Sequence, residues 1–239
     1  MNLSFPDYRK LYKVQDEVFT VLNKNLGDFY LTGGTALGRF YLNHRHSDDL
    51  DFFTNESDKF NEETKRLYKL LSENFSLIKE MTLDTPSFYR IWIKGEVNLK
   101  VEFVNDVKFH AGKINLSDKI NIDNPCNILS NKLTAILSRD EAKDVFDIVT
   151  IAENYSFNWK SIYFDALEKQ LVNEATIAWR LSTFPVKLLL NVLWVKQQID
   201  FNDFKQKLKI LSDDFLFAKD NSLGINKIPI TEAKPSINP

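Results

Sequence analysis

Asp49 and Asp51 are separated by a single leucine in Ser47-Asp48-Asp49-Leu50-Asp51-Phe52-Phe53. On an extended strand this alternation sends both carboxylates out of one face about 7 Å apart, and Leu50 and Phe52 out of the other. Two carboxylates held together at the edge of a core repel each other, and a divalent cation between them relieves the repulsion. Magnesium, with its preference for oxygen ligands, suits such a pair. Upstream, Tyr30-Leu31-Thr32-Gly33-Gly34-Thr35-Ala36-Leu37 runs from an apolar strand into two glycines and at once into a helical pattern. Such a bend lets backbone N–H groups approach a phosphate with no Cβ in the way, while the new helix presents its positive end. Thr35 adds a hydroxyl there. Taken singly, the glycines fit a turn without a ligand and the aspartates fit a solvated cap; together they point to metal-assisted phosphate chemistry.

Further charged groups lie at suggestive positions. Leu99-Lys100-Val101-Glu102-Phe103-Val104 alternates cleanly, so Glu102 sits mid-strand opposite an apolar face. It is the candidate third carboxylate of a metal site and proton acceptor for an attacking hydroxyl; the alternative is a surface glutamate paired with Lys100 or a cross-strand cation. On a helix from about Cys126 to Arg139, Lys132 and Arg139 share a stripe with Ile128, Ala135 and Ile136. On the next helix Asp144 and Asp147 lie in line with Ile148 and Ile151. Charges of both signs at a core margin suit a site for triphosphate and metal, or equally a snorkelling lysine and dipole-facing aspartates. Arg39 and Arg45 are candidate phosphate contacts or solvated cations, and Ser47 is a further candidate contact. His44-x-His46 lacks the additional ligands that zinc needs, since the third histidine, His110, is remote in sequence.

The elements that must position these groups fall into two halves. Helical periodicity covers Tyr8 to Asn25, with Gly27 as its stop, and a charged helix spans about Asp58 to Asn74. Short strands are predicted at Phe29 to Thr32, Leu50 to Phe53, Leu77 to Leu83, Phe88 to Ile93 and Val97 to Val104. From Pro125 the pattern is helical nearly to Ala218, with segments near 126–139, 141–155, 159–172, 174–183, 186–198 and 201–212. The final stretch from Asn221 has three prolines and no aromatics, which predicts a flexible tail over 221–239. The fold class is α+β: a mixed-sheet domain over 1–124, then a helical bundle over 125–220.

Composition narrows the class of protein. The chain has 239 residues, 44% of them apolar, enough for a real core. Net charge is -2 and the basic residues are scattered, so no dense cationic block announces nucleic acid. Val186 to Val195 is too short for a membrane span and is interrupted by Lys187 and Asn191, and Met1 to Lys10 lacks the apolar core of a signal peptide. A cytoplasmic protein without a membrane partner is expected. The one cysteine, Cys126, excludes an intramolecular disulfide and reads as a small buried hydrophobe.

The segments Gly33-Gly34-Thr35-Ala36-Leu37, His44-Arg45-His46-Ser47-Asp48-Asp49-Leu50-Asp51-Phe52, Lys132-Leu133-Thr134-Ala135 and, after Arg139, Lys143-Asp144-Val145-Phe146-Asp147-Ile148 closely resemble the AbiEii/AbiGii-type nucleotidyltransferase toxins of the polymerase-β-like superfamily. The likeness covers roughly residues 28 to 150. It implies that Gly33, Gly34 and Thr35 hold a nucleoside triphosphate, that Asp49 and Asp51 bind Mg2+, and that Lys132 contacts the nucleotide. Asp144 and Asp147 would complete the last motif, so the first two helices of the helical half would complete the active site. Lys143 departs from the arginine usual at that place, which removes a bidentate phosphate contact. The implied activity is transfer of a nucleoside monophosphate from NTP to an acceptor, RNA and specifically tRNA, by the toxin of a toxin–antitoxin or phage-defence (abortive infection) system with a separately encoded antitoxin. The alternatives are nucleotidylation of a protein or small molecule, or a non-catalytic nucleotide-binding interaction module.

Overall fold

The computed structural model describes residues 7–116 and 120–236. The chain divides into two compact units, one of 7–36, His46–Lys108 and Ile114–Asp123, the other of Leu37–Arg45, Phe109–Lys113 and 124–236. The division therefore interleaves, where the sequence suggested a single boundary at 124.

The first unit is a sheet with helices. Its helices are α1 (Tyr8–Leu22), the short α2 (Gly33–Ala36) and α3 (Phe60–Asn74). Its strands are β1 (Tyr30–Thr32), β2 (Leu50–Asn55), β3 (Leu83–Thr85), β4 (Phe88–Ile93), β5 (Leu99–Asp106), β6 (Asn115–Leu116) and β7 (Asn121–Ile122), in the order β3-β4-β5-β2-β1-β7-β6. The sheet is mixed, because β2 runs parallel to β5 and antiparallel to β1. Asp7 caps α1 by accepting from the N–H groups of Arg9 and Lys10. The alternation read from the sequence has a physical outcome in β2 and β5: Leu50, Phe52, Leu99, Val101 and Phe103 are all fully buried, while Asp51, Lys100 and Glu102 leave by the other face. Phe103 stacks with Phe52 and meets Phe29 edge-on, and Phe29 in turn reaches Phe60 of α3. Burying each such ring is worth roughly 1.5–3 kcal/mol, so the apolar face fixes the pitch of the polar one. The expected strand at Leu77 to Leu83 is mostly absent: Leu77 makes one bridge to Ile93, Lys79–Met81 forms a 3-10 turn, and pairing resumes only at Leu83.

The second unit is helical, with α4 (Pro125–Ser138), α5 (Ala142–Asn154), α6 (Trp159–Leu167), α7 (Glu174–Ser182) and α8 (Phe201–Leu216). Asn124 starts α4 by accepting from the Asn127 N–H, and its amide pins the preceding loop by donating to the carbonyls of Ala111 and Lys113. Cys126 is buried, as its type suggested. No continuous helix forms over 186–198; Val186–Leu189 is a 3-10 turn and the rest is irregular. Among the described residues no helix is long and apolar enough to cross a membrane.

The predicted tail also differs. Asn221 is buried and donates through its amide to the carbonyls of Ala152 and Tyr155, Ser156 bridges to Pro229, and Ile230 and Ala233 are buried. Composition missed this because the segment is held by a few long-range contacts and has no periodicity of its own. Gly224 marks how close the approach is: a Cβ there would lie 1.9 Å from the Tyr155 carbonyl oxygen. Gly224→Ala is therefore expected to destabilise the protein by about 3 kcal/mol, read as a fall in the urea midpoint. An unchanged midpoint would show that this segment is not held against α5.

Candidate active site

Strand register builds a transverse row of polar side chains across the first unit. Thr32 of β1 pairs with Asp51 of β2, Asp51 with Glu102 of β5, and Glu102 with Arg90 of β4. Paired residues share a face, so one aspartate, one glutamate and an arginine are neighbours on the side away from the core. Asp49, immediately before β2, and Lys100 of β5 lie beside this row, in contact at 3.0 Å. Gly33, immediately after β1, has φ +67°, and a Cβ built on it would lie 3.1 Å from the Asp51 carboxylate. The glycine is required twice over, by the left-handed backbone and by the approach of the acid.

The electrostatics of this row are unbalanced. Burial raises the proton affinity of Asp51, and the charges of Glu102 and Asp49 raise it further. Burial likewise lifts Asp49, against the pull of Lys100. Glu102 behaves differently: burial would raise it, but Arg90 at 2.6 Å and Lys100 at 3.3 Å together hold it below its usual range. Three carboxylates with an all-oxygen donor set, buried and crowded enough that two of them resist ionisation, match the needs of a hard divalent cation. The bare-backbone turn at Gly33 keeps the space beside Asp51 open. Among the described residues no three such side chains are already drawn into a ligating group, and the Lys100 ammonium stands against two of the three acids.

A second charge cluster lies within the helical unit. Asp147 is fully buried and receives Nε and Nη2 of Arg45 at 2.6 and 2.8 Å, Lys132 Nζ at 2.8 Å and His44 Nε2 at 2.8 Å. Lys132 Nζ also reaches Asp144 at 2.6 Å, and Arg139 makes a bidentate contact with the same carboxylate. Burial works against ionised Asp147, yet Arg45 and Lys132 overcome it and hold its carboxyl well below the ordinary range; Asp144 is lowered in the same way by Lys132 and Arg139. His44 is pushed down by burial, so it is neutral and donates through Nε2. Arg45, placed among the candidate phosphate contacts, is thus engaged internally, whereas the Arg139 side chain is 56% exposed.

The other candidates are placed as follows. The Thr35 hydroxyl is buried and donates to the Asp49 carbonyl, so it shapes the turn. Ser47 is buried and its carbonyl accepts from Gln15. Gly34 and Arg39 are buried; burial, and after it the Arg39 charge, lowers the proton affinity of Lys196. His44 and His46 have separate roles, the second stacking on Tyr8. Sequence reading underused Lys100 and missed Arg90, although the i,i+2 spacing of Lys100 and Glu102 carried half of that signal. It also missed Asp123, whose carboxylate accepts from Thr32 at 2.5 Å; nothing in the local pattern marked it.

The family model "Nucleotidyl transferase AbiEii toxin, Type IV TA system" matches residues 21–221. The chain belongs to this family and is a nucleotidyltransferase of the toxin type. Among solved structures it is similar to JHP933 from Helicobacter pylori (20% identity, TM-score 0.57, covering 90% of this chain and 94% of that one). It is also similar to MenT4, the nucleotidyltransferase toxin Rv2826c from Mycobacterium tuberculosis H37Rv (13% identity, TM-score 0.60, 91% and 86% covered). At such identities the likeness speaks for the fold. No curated protein matches the chain significantly.

The two clusters give opposite stability effects. Because the folded state lowers Asp147 and Asp144, their contribution is present above the ordinary aspartate value of 3.8 and lost as pH falls below it. Asp147→Asn leaves buried cations without their counter-charge and is expected to cost about 3–5 kcal/mol at neutral pH, measured by denaturant unfolding. Asp51 is raised, so its ionisation opposes folding once pH exceeds its ordinary value. Asp51→Asn should accordingly raise the melting temperature of metal-free protein by a few degrees; a lower one would contradict the charge crowding.

Proposed function

We propose that the chain is a metal-dependent nucleotidyltransferase toxin that moves a nucleoside monophosphate from an NTP to an RNA acceptor, tRNA in particular. The observation that carries this reading is the aligned trio of Asp49, Asp51 and Glu102 beside the left-handed turn at Gly33. Asp49, Asp51 and Glu102 hold Mg2+, which when bound neutralises charge on the reacting phosphate. The N–H groups of Gly33 and Gly34 at the start of α2 receive the triphosphate, with Thr35 fixing the turn through Asp49. The acceptor hydroxyl attacks the α-phosphorus in line, its proton passes to solvent water, and pyrophosphate leaves as the bond from the α-phosphorus to the bridging oxygen breaks. Glu102, kept ionised by Arg90 and Lys100, is suited to holding a cation more than to taking a proton.

Within the helical unit Arg139 is the substantially exposed member of the charge cluster, with a planar fork of the kind that suits a phosphate. Arg45, Asp147, Lys132 and Asp144 serve as the framework that fixes α4 and α5, and in the sheet unit Ser47 is held through its carbonyl by Gln15. The family's type IV toxin–antitoxin designation supports a separately encoded antitoxin as partner, and a cytoplasmic location follows from an RNA acceptor.

Incubating purified protein with each labelled triphosphate, Mg2+ and total RNA tests this reading. Label is expected on tRNA, reduced at least about a thousandfold by Asp49→Ala or Asp51→Ala and lost with EDTA. Arg139→Ala should reduce transfer with little loss of stability, whereas Lys132→Met should mainly destabilise. Label on protein or a small molecule would replace the acceptor, and transfer that survives both aspartate substitutions would overturn the metal assignment.

A further inference from the structure

Lys100 occupies a position that the catalytic trio does not explain. Its half-buried ammonium lies 3.0 Å from Asp49 and 3.3 Å from Glu102, so one side chain spans the acid just before β2 and an acid of β5. Arg90 already serves the same Glu102 oxygen from the opposite strand at 2.6 Å. Pairing Glu102 therefore does not require Lys100. What Lys100 adds is a positive charge between Asp49 and Glu102, where a divalent ion would draw on the same oxygens. A lysine on a four-carbon stem is a mobile point charge, unlike the planar fork of Arg90, and it is 21% exposed, so a route to solvent is open.

We propose that Lys100 is a resident counterion of the metal site: it neutralises the carboxylates before the ion arrives, competes with a bare ion for Asp49 and Glu102, and turns away when the ion binds. This rests on the metal reading above. It accounts for the absence, among the described residues, of a ready-made ligating trio even though register brings the acids together. A bare ion has to displace the ammonium and so binds weakly, which favours an ion that arrives already carried by the triphosphate.

The test titrates Mn2+ into metal-stripped full-length protein without nucleotide, by calorimetry and by electron paramagnetic resonance of the free ion. Lys100→Met is expected to bind Mn2+ roughly five- to tenfold more tightly than the unsubstituted protein, and Lys100→Arg to stay close to it. A structural lesion would weaken binding, so the direction separates the two. Binding that Lys100→Met leaves unchanged or weakens overturns the proposal alone. Absence of Mn2+ binding in every form, Lys100→Met included, overturns the proposal, and binding that survives Asp49→Ala with Asp51→Ala overturns the metal reading and the proposal with it. A second measurement needs no variant: acetylation of Lys100 in the unsubstituted protein, followed by peptide mass spectrometry, should speed up severalfold when Mg2+ is added. An unchanged or slower rate counts against release of the ammonium.

Discussion

The parallel pairing of β2 with β5 in one particular register is the constraint on which the site depends. It sets Asp51 opposite Glu102 and brings Asp49 beside Lys100. The acids do not enforce that pairing themselves, since burial and then mutual repulsion make two of them resist ionisation. The register is held instead by the far face, where Leu50, Phe52, Val101 and Phe103 are sealed from water. Slippage by one residue would bury the acids and expose the phenylalanines, which the hydrophobic term forbids by several kcal/mol. The apolar side of two strands thus enforces an unfavourable arrangement on the polar side, and that arrangement is what a cation can use.

The helical unit solves the same electrostatic problem in the opposite sense. Two buried carboxylates, Asp144 and Asp147, meet Arg45, Lys132 and Arg139, and the neutral His44 donates a further hydrogen bond. Each acid there has cationic partners that outweigh its burial, so the cluster is satisfied without a ligand. In the sheet unit the acids outnumber the cations beside them. Residue types alone do not distinguish these cases; both show acidic and basic groups at a core margin. The distinction comes from which side chains the fold lets touch.

That difference explains what was legible in advance. Period-two alternation in Leu99-Lys100-Val101-Glu102-Phe103 and around Asp49-Leu50-Asp51 was enough to place the carboxylates on one face, because side-chain direction on a strand follows from local geometry. The glycine turn was legible for the same reason. The partner of Arg45 was not, because its link to Asp147 joins residues 102 positions apart. Nor was the packing of 221–236, which depends on Asn221 reaching Ala152 and Tyr155. Local pattern predicts faces and long-range contact decides partners, so a charged residue's role is the part that sequence leaves open.

The turn at Gly33 joins these arguments. A residue with a side chain there would need both a left-handed backbone and room that the Asp51 carboxylate already takes. Thr35 closes the loop from the other end by donating its buried hydroxyl to the Asp49 carbonyl. The turn and the acid strand are therefore one mechanical object: moving the glycines displaces Asp51, and moving Asp49 releases Thr35. In the proposed reading, N–H groups that face a phosphate and carboxylates that face a cation make opposite demands in charge, and an ion shared between them reconciles the two. The protein holds both halves at fixed spacing, with Lys100 supplying the positive charge that the metal-free acids need.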